Sequence, residues 1–166
     1  RFSIFTVITT LLNPGDEIIV IEPAWPAYKD CALNAGIKVR TINTTLEEKW
    51  EPSLEQIENT INPNTKMIVL NYPNNPTGNS LDKGKVETLI NNFKGIVVID
   101  EAYIDFSEVI SWSLSLSDYP NLIVCQTLSK AWGMAAIRLG ICYASQEIIE
   151  VLNKIKPPYN VNSLTQ

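Results

Sequence analysis

The chain has 166 residues, 45% of them hydrophobic and 19% charged, a balance that suits one globular domain, or much of one, with a sizeable buried core. A net charge of −5, with no Lys/Arg stripe, argues against nucleic acid or an anionic membrane as a partner. Histidine is absent, which excludes Ser-His-Asp and Cys-His nucleophile systems and His-ligated metal sites within the chain and leaves lysine, tyrosine and carboxylates for proton transfer.

The sequence opens at Arg1 inside an amphipathic helix, with Phe2, Phe5, Ile8, Leu11 and Leu12 roughly on one face. No initiator methionine precedes it, and the chain stops at Gln166 soon after Lys156-Pro157-Pro158-Tyr159-Asn160, so a fragment of a longer protein is expected. Pro14-Gly15-Asp16 forms a turn after the opening helix. Apolar runs at 17–21, 38–42, 66–71, 96–99, 122–125 and 139–143 then predict strands, and periodic segments at 28–34, 53–61, 81–93 and 146–155 predict helices. Ser53 followed by Gln56 is a capping-box start for one of them. This alternation predicts an α/β fold, a three-layer sandwich in which a mostly parallel sheet is covered by helices on both faces. Cys31, Cys125 and Cys142 are odd in number and each sits among apolar residues, which predicts free thiols in a reducing compartment and no zinc. With no membrane-length apolar run and no signal-peptide pattern, a cytoplasmic location is expected.

Four places carry chemistry. Trp25, after the first strand, is a flat aromatic suited either to the core or to stacking on a planar ring. The loop Asn71-Tyr72-Pro73-Asn74-Asn75-Pro76-Thr77-Gly78 is stiffened by two prolines, and Gly78 permits a positive φ, so the loop projects Asn74 or Asn75 from a strand end. Asp100 follows four apolar residues, where a buried carboxylate asks for a cation or donor. Thr127, Ser129 and Arg138 combine two hydroxyls with a guanidinium, a set suited to a phosphate dianion, and Lys130 lies beside them. An amine acts as a nucleophile only when deprotonated, which burial near another cation favours. Polar groups at the carboxyl ends of buried strands are where open α/β sheets bind ligands. Each place also admits a plain account: a solvated lysine, an Asn-capped helix entry, an exposed Asp at a loop start, a core tryptophan.

Taken together, the lysine, carboxylate, phosphate cup, amide, phenol and aromatic describe a pyridoxal phosphate site. In this order the motifs resemble the fold-type I (class I/II) aminotransferases, and within them the histidinol-phosphate aminotransferases, along essentially the whole chain from Asn13-Pro14-Gly15-Asp16 to Pro157-Pro158-Tyr159-Asn160-Val161-Asn162. The resemblance implies that Lys130 attaches the cofactor and shuttles a proton, Asp100 pairs with the pyridine nitrogen, and Asn75 and Tyr103 bond the ring hydroxyl. Thr127, Ser129 and Arg138 would hold the phosphate, with Trp25 stacked on the ring. It further implies transfer of an amino group from a donor such as glutamate to a keto acceptor, imidazole acetol phosphate in histidine biosynthesis, by a homodimer acting on small molecules. Residues 1–156 would be the cofactor-binding large domain and 157–166 the start of the connection to a small domain. A further phosphate loop, a tyrosine from the partner subunit and a substrate-gripping arginine have no match here, so the piece by itself is expected to be inactive. A decarboxylase or C–S lyase with the same cofactor, or the ligand-sensing domain of a transcription regulator, would use the same residues.

Overall fold

A computed structural model describes residues 2–163 and 165, without the side chain of residue 2; Arg1 lies outside the described residues. In chain order the elements are α1 (Phe2–Leu11), β1 (Glu17–Glu22), α2 (Ala27–Asn34), β2 (Lys38–Asn43), α3 (Leu54–Thr60), β3 (Thr65–Asn71), α4 (Lys83–Asn92), β4 (Ile96–Asp100), β5 (Leu122–Thr127), β6 (Gly140–Ala144) and α5 (Gln146–Ile155). The strands form one six-stranded sheet in the order β2-β1-β3-β4-β5-β6, parallel except for β6, which runs antiparallel to β5.

Alternation along the strands divides the core in two. Ile18, Val20, Met67, Val69, Val98, Ile123 and Cys125 face α1, α2 and α5, and their neighbours Ile19, Ile68, Leu70, Val97, Ile99, Leu122 and Val124 face α3 and α4. A parallel sheet packed on both faces needs such continuous apolar strands, and here all four core residues 67–70 of β3 are buried. Only β2, at the edge, is largely exposed.

Two details differ from expectation. The buried face of α1 is built by Ile4, Val7 and Ile8, with Leu12 just beyond the helix; Phe5 is exposed and Leu11 half-buried. The helix packs against α2, α5 and β6 at once, and that seating selects the stripe containing Ile4 and Val7. Strand β5 also runs beyond Cys125, because its antiparallel ladder with β6 continues to Thr127 opposite Gly140. The Ser53–Gln56 capping box forms in both directions.

β1 neighbours β2 on one side and β3 on the other, so the chain reverses its direction of growth across the sheet there. Such a switch point leaves a crevice at the carboxyl ends of the strands. Among the described residues, no helix is long and apolar enough to cross a membrane.

Candidate active site

A cavity of about 470 Å³ opens at that edge, lined from α1, from Trp25 and α2, from the ends of β3, β4 and β5, and from the segment between β5 and β6. Trp25, Asn75, Asp100, Tyr103, Thr127, Ser129, Lys130 and Arg138 all line it. Residues from 25 to 138 thus converge on one hollow because parallel strands deliver their ends to the same edge.

Asp100 closes β4 and is only 7% exposed. Its Oδ2 accepts from the Tyr28 hydroxyl at 2.8 Å and its Oδ1 from the Ala102 amide at 3.0 Å. Burial raises its pKa above the ordinary carboxylate range, against the opposing pull of those two hydrogen bonds. The Tyr28 phenol is in turn pushed well above its usual value, chiefly by burial and then by the adjacent carboxylate. Glu101, next in sequence, turns away from the cavity. Its two oxygens accept from the Trp112 amide at 2.7 Å, the Ser111 hydroxyl at 2.6 Å and Gln126 Nε2 at 2.8 Å, which ties the β4–β5 connection to the sheet.

The loop after β3 resolves the choice between its two asparagines. Asn74 Nδ2 donates to the Pro23 carbonyl at 2.9 Å and to Thr77 Oγ1 at 2.6 Å, so this side chain binds loop to loop. Asn75 is held through its backbone amide, which donates to Asn71 Oδ1 at 2.8 Å, and its side chain is left to the cavity wall. Asn71 also donates to the Asp100 carbonyl at 2.9 Å, joining the two strand ends. Gly78 takes φ +77°, a left-handed turn that suits glycine.

Lys130 and Arg138 are exposed on the open side. The Lys130 Nζ lies 5.2 Å from the centroid of the Tyr103 ring, within cation–π range. Arg138 adopts φ +56° and donates from Nη1 to the Ala135 carbonyl at 2.8 Å, and the Ser129 amide donates to Thr127 Oγ1 at 3.2 Å. Among the described residues neither cation forms an ion pair. Trp25 is half-buried, meets Tyr28 edge-to-face at 5.5 Å, and both packs on the core and lines the cavity.

Sequence reasoning missed Tyr28 and Asn71. Tyr28 read as the start of a periodic helix, and its bond to Asp100 spans 72 positions. Asn71 had a visible signal, a polar residue ending an apolar run. No group of three or more His, Cys, Asp or Glu among the described residues could hold a metal ion.

The arrangement therefore sets a buried carboxylate, whose donors among the described residues are neutral, in a cavity whose open side carries two cations and two hydroxyls. In doubly wound α/β domains the crevice at the strand ends, at the switch point, is where ligands bind. The family model for aminotransferase class I and II matches residues 3–166, and the chain belongs to that family. It is 54% identical over 151 residues to the histidinol-phosphate aminotransferase of Flavobacterium johnsoniae, covering 91% of this chain and 43% of that protein. To the histidinol-phosphate aminotransferase of Parabacteroides distasonis it is 50% identical, covering 99% of this chain and 47% of the other. Among solved structures, a double mutant of the aspartate aminotransferase of Thermus thermophilus superposes with a TM-score of 0.85 at 29% identity, over 99% of this chain and 43% of that one. The aspartate aminotransferase of Thermotoga maritima gives 0.88 at 26%, over 98% and 46%. The chain thus spans a little under half the length of the relatives it matches.

Proposed function

We propose that the full-length protein is a pyridoxal 5′-phosphate-dependent aminotransferase acting on histidinol phosphate and its keto counterpart, imidazole acetol phosphate, with glutamate as amino donor. The substrate reading rests on the relatives named above, about half identical to this chain. The cofactor reading rests on one observation: the buried Asp100 carboxylate and the Lys130 ammonium face the same hollow, with no cation paired to the carboxylate among the described residues.

The donor set fits that cofactor. Asp100 would meet a protonated pyridine nitrogen, the cation its burial calls for. Asn75 and Tyr103 would bond the ring hydroxyl, and Thr127, Ser129 and Arg138 would hold the phosphate by charge-assisted bonds. Trp25 would cover one ring face. When bound, the cofactor supplies an electron-withdrawing ring that accepts the electron pair released at the substrate α-carbon. Lys130 would be the covalent anchor and, once freed by the incoming amino substrate, the base that takes the α-proton and returns it. Tyr28 keeps Asp100 oriented through the 2.8 Å bond it donates to Oδ2. We assign residues 1–156 to the large domain and 157–166 to the connection toward a small domain, and expect a cytoplasmic homodimer. Cys125 and Cys142, both as free thiols, suit a reducing compartment.

The full-length protein mixed with pyridoxal phosphate should develop a visible absorbance band, and borohydride reduction should leave the cofactor mass on the peptide containing Lys130. Lys130→Ala should abolish both, together with amino transfer from histidinol phosphate to 2-oxoglutarate. Label on a different lysine, or a band that survives Lys130→Ala, would overturn the assignment. Band and label without turnover of histidinol phosphate would retain the cofactor and reject the substrate.

A further inference from the structure

Cys125 on β5 and Cys142 on β6 stand directly opposite each other in the antiparallel ladder. Residues so paired are about 4.5 or 5.5 Å apart at Cα, and a disulfide needs a Cα separation of about 4.4–6.8 Å. Either kind of pairing falls within that range at Cα. Both side chains leave the sheet on the same face: Cys125 is buried in the core beneath α1, α2 and α5, and the half-buried Cys142 packs against that core. The two thiols are close enough to act on each other's ionisation. That interaction, with burial, pushes the Cys125 thiol up and draws the Cys142 thiol down. Cys142 is thus the readier thiolate and the more exposed of the two.

The position matters because Cys125 also lines the cavity and sits in register with Asp100 on β4. The segment 126–141 that joins the two cysteines carries Thr127, Ser129, Lys130 and Arg138. We propose that Cys125 and Cys142 are a redox-responsive dithiol that closes to a cross-strand disulfide under hydrogen peroxide, clamping the base of the segment that bears Lys130 and Arg138.

In the first step the Cys142 thiolate attacks one peroxide oxygen. The O–O bond breaks, and hydroxide leaves and takes up a proton as water, so Cys142 becomes a sulfenic acid. The Cys125 sulfur then attacks the Cys142 sulfur, the S–S bond forms, the S–O bond breaks, and the oxygen departs as a second water with the Cys125 proton. Two thiols are oxidised to one disulfide and one hydrogen peroxide is reduced to two waters. A dithiol reductant reverses the closure by exchange. Nothing in this chemistry depends on which ligand the cavity takes.

The test is peptide mapping of the full-length protein, exposed to hydrogen peroxide, capped with N-ethylmaleimide and digested without reductant. The expected product is a pair of peptides joined through Cys125 and Cys142, released by dithiothreitol and absent from Cys142→Ser. Sulfinic or sulfonic acid at Cys142 with no joined pair would overturn the proposal, as would a bond from either residue to Cys31 or to a second chain. The wild-type map alone decides, so poor folding of the variant does not protect the idea.

Discussion

At Asp100 the needs of the fold and of the site pull in opposite directions. Its carboxyl is buried with a phenol and an amide as its donors, and its pKa in the folded chain stands above the unfolded value. A group raised in this way contributes stability below its unfolded pKa, about 3.9, and loses that contribution as pH rises through the folded pKa. At neutral pH the ionised carboxylate is therefore a cost to the cofactor-free protein. Asp100→Asn can keep both bonds, since the amide oxygen accepts from Ala102 and the amide nitrogen donates to the Tyr28 oxygen. The cofactor-free Asp100→Asn protein should melt above wild type at pH 7, with the gap narrowing as pH falls into the carboxylate range, while its affinity for pyridoxal phosphate drops. Melting curves across pH check this, and a gap independent of pH would sink it. Asp100 and Lys130 could be picked out of the letters because each follows an apolar run that must be a strand. Tyr28 could not, because nothing local announces a bond to a residue on another strand.

Among the elements, the strands and most helices were legible within a residue or two, since period and capping are local properties. The stripe of α1 was not, because three neighbours compete to set its rotation and Phe5 loses. Element spacing also depends on one close approach that sequence alone does not reveal. A Cβ at Gly95, just before β4, would lie 2.4 Å from the Lys66 carbonyl oxygen and 2.7 Å from the Phe93 ring. The first contact is with backbone at the start of β3 and cannot swing aside. Gly95→Ala should therefore cost about 1–3 kcal/mol, as overpacking does, measured by denaturant titration of the full-length protein. A change within a few tenths of a kcal/mol would mean that the α4–β4 turn yields more easily than its packing indicates.

For the whole molecule, burial grades from the middle of the sheet outward: β3 and β4 are closed in on both faces, and β2 is largely exposed. Native-state hydrogen exchange should follow that gradient, with the amides of Val97, Val98 and Ile99 among the last to exchange and those of β2 among the first strand amides. Equal protection across the sheet would contradict it. The three-layer plan was legible from alternation alone, and so was the edge that holds the cavity. The direction of β6 was not, because a short apolar run carries no sign of which way it lies. That direction has a consequence. A parallel β6 would require the chain to cross back over a sheet face, burying its path in one of the two cores. Running antiparallel, the chain leaves and rejoins the sheet on the same side, so everything from 128 to 139 is a cassette seated on the rim. Around the fixed points Ser129, Lys130 and Arg138, its other residues can be rewritten over generations, retuning what the pocket accepts while the foundations below stay untouched.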